Sequence, residues 1–221
     1  MRGAISLVLA LGLALPVAAQ DGVASSGRLS DDQFYRLITC GAAPGGKCDI
    51  PFVRWNKQRV SVALRPADKG YPPELARAVD RELDRAIAEI NRAAGGALRL
   101  VRDDRRSGAD ILVTRSRLRE GQPTRGIPRM PDGEPVGVGF MWLWWDDDAN
   151  ITEASILISS DIMPDDLRSV VLEELFQCLG FLYDIENPYY EGRSIVSQDS
   201  NETIRIEGQD RMALRRHYPG G

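Results

Sequence analysis

Glu173, Glu174, Gln177 and Asp184 are the residues of this 221-residue chain whose types and spacing lend themselves best to chemistry. Glu173-Glu174-Leu175-Phe176-Gln177 lies inside an apolar stretch, with Gly180, Tyr183 and Asp184 just beyond it. In a helix, positions i and i+4 share a face, so Glu173 and Gln177 point the same way with Glu174 alongside. Two carboxylates in unlike surroundings can divide acid and base duties. Glu174 would then be the general base, and Glu173 or Asp184 its partner acid. Adjacent helix positions diverge by about 100° around the axis, which keeps Glu173 and Glu174 from meeting one substrate atom closely. A capping or buried hydrogen-bonding role for the two glutamates stands beside the catalytic one.

The elements that must hold these residues follow from periodicity. Leu167, Val170, Val171, Leu175, Cys178, Leu179 and Leu182 recur at helical spacing and predict a helix from Asp165 to Asp184 with one buried face. A second, longer helix opens at Pro72-Pro73-Glu74 and keeps Leu75, Val79, Leu83, Ala86, Ile87, Ile90 and Ala94 on one side until Gly95-Gly96 stops it. Its outer face carries alternating charges and reads as solvated. Strands are expected over Val53 to Leu64, Ala97 to Val101, Ala109 to Thr114, Val138 to Trp145 and Ile151 to Ser159. Short helices are expected from Asp32 to Thr39 and from Glu207 to Tyr218. Residues 115 to 137, rich in proline and glycine, read as a long surface loop. Asp146-Asp147-Asp148 reads as a solvated hairpin turn rather than a calcium loop, and Arg102, Arg105 and Arg106 as a solvated loop. Trp142 and Trp144 share a face opposite Trp145, which leaves one aromatic face free to form a platform beside the cleft. His217, at a helix C-terminus that favours a cation, reads as structural.

Residues 1 to 20 combine Arg2, the apolar run Ile5 to Leu15 and the small residues Val17-Ala18-Ala19. That pattern predicts a signal peptide cleaved near Ala19 or Gln20, too short to span a membrane. The mature chain is then periplasmic or secreted. Its removal takes away one base and no acid, so the net charge moves from −4 to −5. Such a balance gives no support for nucleic-acid binding. Cys40 and Cys48 flank the flexible AAPGGK loop and are expected to pair in an oxidising compartment, while Cys178 reads as a buried free thiol.

With these residues in view, a resemblance becomes specific. Glu173-Glu174-x-x-Gln177-x-x-Gly180-x-x-Tyr183 resembles the H-E-x-x-H-x-x-G-x-x-H helix and turn of metzincin metallopeptidases. Glu174 falls at the catalytic Glu and Gly180 at the turn glycine. Glu173 and Gln177 fall at the first two zinc-binding histidines, and Tyr183 at the third with Asp184 adjacent. Ser194-Ile195-Val196-Ser197 looks like the Met-turn under the metal, with Val196 where methionine is expected. Residues 35 to 218 also resemble an exported bacterial family known as domain of unknown function 2927, with its E-E-x-x-Q-x-x-G core and paired N-terminal cysteines.

The resemblance implies an α+β, zincin/metzincin-like fold: a mixed twisted sheet with a long covering helix, a central active-site-type helix and a C-terminal helix. The expected organisation is a signal peptide over 1–20, an N-terminal leader with the Cys40–Cys48 loop over 21–50, and a single zincin-like domain over 51–221. An oxygen-only donor set suits Ca²⁺ or Mg²⁺ better than Zn²⁺, but Glu173, Gln177 and Tyr183 or Asp184 make a thin cage, so no cofactor is expected. The reading that follows is a pseudo-metallopeptidase that binds a peptide or a cell-envelope component, with no membrane span. Its alternative is a hydrolase with rebuilt carboxylate chemistry and Glu174 as general base.

Overall fold

The computed structural model describes residues 15–18, 20–106 and 108–220, with side chains from residue 22 onward. Arg2 and most of the apolar leader run therefore lie outside the described residues.

The chain places a mixed six-stranded sheet at its centre. Its strands are β1 (Leu15–Ala18), β3 (Arg59–Leu64), β4 (Arg99–Arg102), β5 (Ile111–Arg115), β6 (Gly139–Trp145) and β7 (Ile151–Ile158), in the order β1-β6-β7-β5-β3-β4. The β3, β4, β5 and β7 strands run parallel to one another, whereas β6 runs antiparallel to β7. Parallel strands are covered on both faces, and the runs Val60-Ser61-Val62-Ala63-Leu64 and Ile111-Leu112-Val113-Thr114 are accordingly buried throughout. A separate two-stranded pairing joins β2 (Gln20–Ala24) in parallel to β8 (Tyr183–Glu186).

Helix α2 (Pro73–Ala94) covers the sheet, starting at a proline and ending at Gly95 in the left-handed conformation, as its periodicity predicts. Arg102 is not part of a solvated loop. Lying at the end of β4, it bonds Asp80 and Asp84 of α2 together with Asp104, tying helix to sheet. Helix α1 (Asp31–Cys40) begins at a Ser30–Gln33 capping box, and its Phe34, Leu37 and Ile38 enter the main core. The Cys40–Cys48 disulfide closes the loop that follows it. Helix α4 (Gly208–His217) closes the chain.

Two sequence expectations are corrected at this level. The central helix, α3, covers Leu167–Gln177 and not Asp165 to Asp184. Cys178, Leu179 and Leu182 are buried as their spacing implies, but the chain delivers them through a turn at Gly180 and into β8. Moreover α3 is buried nearly all round, with Val171, Leu172, Leu175 and Phe176 in the core together with Glu174 and Gln177. The aromatic platform does not exist either. Ile127, Met130 and Val136 of the 115–137 loop fold over Trp142 and Leu157, and the Trp144 indole N–H donates to Arg129 O at 3.0 Å. That loop otherwise runs without regular elements, as its composition predicts.

Candidate functional site

The turn after α3 sets the position of everything downstream. Gly180 has φ +98°, and a Cβ there would overlap the carbonyl oxygen of Val53. Both its backbone angle and its surroundings therefore require glycine. The carbonyls of the two residues that follow α3 are satisfied by side chains from elsewhere. Trp55 Nε1 donates to Cys178 O at 2.9 Å, and the Tyr218 hydroxyl donates to Leu179 O at 2.8 Å. His217 lies against the same turn, with Nε2 donating to Val53 O at 2.9 Å and Nδ1 accepting from the Tyr35 hydroxyl at 3.0 Å. Burial presses its pKa down to about 4. His217 is thus structural but neutral, held by two hydrogen bonds among the rings of Tyr35, Phe181 and Tyr218, and not the cation its helix-end position implied.

This turn brings Asp184 back beneath α3, where Gln177 Nε2 donates to Asp184 Oδ1 at 2.8 Å. Tyr183 goes elsewhere. Strand alternation sends its ring to Gly41, beside Asp49. Of the two candidates for the third position, Asp184 joins Glu173 and Gln177, and Tyr183 does not. Among the described residues no group of three or more His, Cys, Asp or Glu side chains is arranged to hold a metal ion.

The acids sit in a setting that disfavours charge. Burial first, and then the carboxylate of Asp184, pushes Glu174 up to about 8. Its Oε2 is buried without a hydrogen-bond partner among the described residues. Glu173 remains partly accessible, yet its carboxyl is held well above the usual range by burial, then by Asp184, Glu174 and Asp210. At neutral pH, Glu174 is mostly a protonated carboxyl, a group that can donate a hydrogen bond.

Asp210, on α4, was not visible from the sequence as part of this group. Its carboxylate accepts from Ser194 Oγ at 2.7 Å and from Ile195 N at 2.9 Å, anchoring the 194–197 segment to α4. Burial raises Asp210 to about 7, against the pull of those two bonds. Val196 is fully buried beyond them, and its carbonyl accepts from Ile185 N at 2.8 Å, so 194–197 lies beside β8. Charge at Asp210 followed by Arg211 reads as an ordinary helix surface; only the fold reveals that the Asp points inward.

Gly139, at the start of β6, also escaped sequence reading. A Cβ at Gly139 would come within 2.5 Å of Glu174 Oε1 and would strike Val170. The start of β6 therefore presses directly on the glutamate. Farther along, β6 pairs antiparallel with the backbone of β1, from Ala18 opposite Trp142 to Leu15 opposite Trp145. Two residues after Ala18, Gln20 lies opposite Tyr183 in the parallel β2–β8 pairing. Residues 15–18 thus pair with β6 and residues 20–24 with β8, the strand carrying Asp184. Set against known proteins, residues 42–219 match the family described as "Protein of unknown function (DUF2927)". No curated protein matches the chain.

Proposed function

The chain belongs to the DUF2927 family, and from that footing we propose that it is an exported, zincin-like domain that works by binding an extended peptide. Support for the zincin-like reading comes from the antiparallel strand β6 upstream of the central helix, the glycine turn after that helix and the 194–197 segment beside β8. Export rests on the leader pattern, together with a disulfide suited to an oxidising compartment. No helix among the described residues is long and apolar enough to cross a membrane.

The observation that carries the binding reading is the backbone pairing of residues 15–18 with β6 and of residues 20–24 with β8. Both edges accept an extended chain through main-chain hydrogen bonds, and strand addition of this kind needs no metal. On and beside β8 lie Asp184 and Gln177, with Glu173 on the same helix as Gln177, and an amide next to carboxyl groups can exchange hydrogen bonds with peptide carbonyls and amides. Cleavage of the leader near Ala19 or Gln20 would vacate β6 for a peptide from another molecule.

The exported form, purified and weighed by mass spectrometry to fix its first residue, is the material for the test. A synthetic peptide of residues 15–24 is expected to shift the backbone amides of Trp142 to Trp145, and N-methylation of its amides should abolish the shift. Stoichiometric metal in the purified protein, or a hydrolytic turnover lost in Glu174→Gln, would overturn the binding-only reading. The unpartnered, burial-raised carboxyl of Glu174 favours a hydrolase as the second reading, and its rate would then rise with pH through about 8.

A further inference from the structure

A different part of the surface gathers three arginines that form no ion pair among the described residues. Arg117, Arg119 and Arg125 line a groove of about 690 Å³ at the end of the sheet where β5 runs out, with Gln122, Asp68 and Asp161 beside them. Arg117 and Arg119 follow directly on the end of β5 and are both exposed, as is Arg125. Neither their guanidinium groups nor that of Arg125 pairs with a carboxylate among the described residues, in contrast to Arg92, Arg102 and Arg129. Asp68 and Asp161 are occupied by neutral donors. Asp68 accepts from Ser116 Oγ at 3.1 Å and Arg117 N at 3.2 Å; Asp161 accepts from Glu120 N and Ser159 Oγ.

The scaffold under these arginines is fixed from two sides. Asp68 N bonds Arg115 O and Ser116 N bonds Ile158 O, each at 3.0 Å. Leu118 O accepts from Ser159 Oγ at 2.7 Å, and Arg117 O from Ser160 Oγ at 3.2 Å. Three exposed guanidinium groups on so restrained a segment form a preorganised basic site in a chain whose net charge is −4. A guanidinium fork matches phosphate oxygens two at a time, and convergent forks select an ion with several charges.

We propose that this groove binds phosphate oxyanions, carried either by a small free polyphosphate or by the headgroup of an anionic phospholipid. The site is independent of the peptide edge at β6. Calorimetric titration of the full chain with tripolyphosphate tests the first source, and flotation with phosphatidylglycerol-containing vesicles, against phosphatidylcholine alone, tests the second. Arg117→Gln and Arg125→Gln should each weaken binding about tenfold, the loss of one charge-assisted contact. Replacing all three arginines with Gln should abolish it, and replacing them with Lys should restore a substantial part. Added salt should weaken it further. Arg85→Gln, in another cavity, should change nothing. Tripolyphosphate binding lost in the triple variant supports the free ion, and vesicle binding lost in that variant without tripolyphosphate binding supports the headgroup. Failure of the wild type to bind either probe, or binding that survives the triple replacement in a protein with unchanged thermal unfolding, refutes the site.

Discussion

Gly180 shows how much one position can decide. Its left-handed backbone angle and its contact with the Val53 carbonyl leave no room for a side chain. Gly180→Ala should therefore cost about 3 kcal/mol or more, combining backbone strain with overpacking, and denaturant unfolding would measure it. A loss below about 1 kcal/mol would show that the turn relaxes freely. The Glu173–Gln177 face was legible because i, i+4 spacing is a local property, and Gly180 because a turn glycine leaves its mark in the sequence. Asp184 was legible only as one of two alternatives, settled by strand alternation placing Tyr183 against Gly41. Gly139, Asp210 and the hydrogen bonds of His217 were not legible. Each depends on contacts between segments far apart in the chain, which no local pattern encodes.

At the scale of elements, α2 was read best because a proline and a glycine mark its ends, whereas the first strand, expected from Val53, begins only at Arg59. Overshoot in α3 has a definite cause. Leu179 and Leu182 keep helical spacing by coincidence while reaching the core from the turn at Gly180 and the segment leading into β8. Burial of Trp142 under the 115–137 loop was illegible because nothing in that loop's own composition says which face it will cover. Helix α1 and its disulfide bear on the site indirectly, since Gly41, next to Cys40, receives the Tyr183 ring. Closure of a loop with sequence separation 8 is worth about 2.5 kcal/mol in chain entropy. Replacing both Cys40 and Cys48 with Ala should lower stability by about that much in thermal unfolding, with the β8 amides losing hydrogen-exchange protection first. Uniform loss of protection across the sheet would contradict the link between α1 and β8.

For the whole molecule, buried titratable groups pull stability in two directions. Glu174, raised from 4.5 to about 8, binds more protons when folded than when unfolded across that interval, so stability falls as pH climbs through it. Asp210, raised from 3.8 to about 7, acts the same way, and Glu173 shares its direction. His217 opposes them: lowered from 6.5 to about 4, it must stay neutral, so stability falls as pH drops from 6.5 toward 4. Several acids against one histidine predict a net decline in unfolding free energy between mildly acidic and mildly alkaline pH. Glu174→Gln keeps the shape and removes the titration, so it should flatten the decline by on the order of a few kcal/mol between pH 5 and 8. Denaturant midpoints across that range would measure it, and an unchanged slope in the variant would exclude Glu174 as a source.

The pairing of β1 with β6 carries one more consequence. The sequence from Gly139 to Trp145, GFMWLWW, is aromatic, uncharged and extended, and β1 is what covers its outer backbone. Without those residues the strand would present unpaired amides and carbonyls in a segment with strong β-propensity, the kind of edge along which identical chains stack. Were residues 15–18 removed, β6 would become the edge of the sheet, and the monomeric state of the chain would depend on its concentration and on how soon another strand arrived.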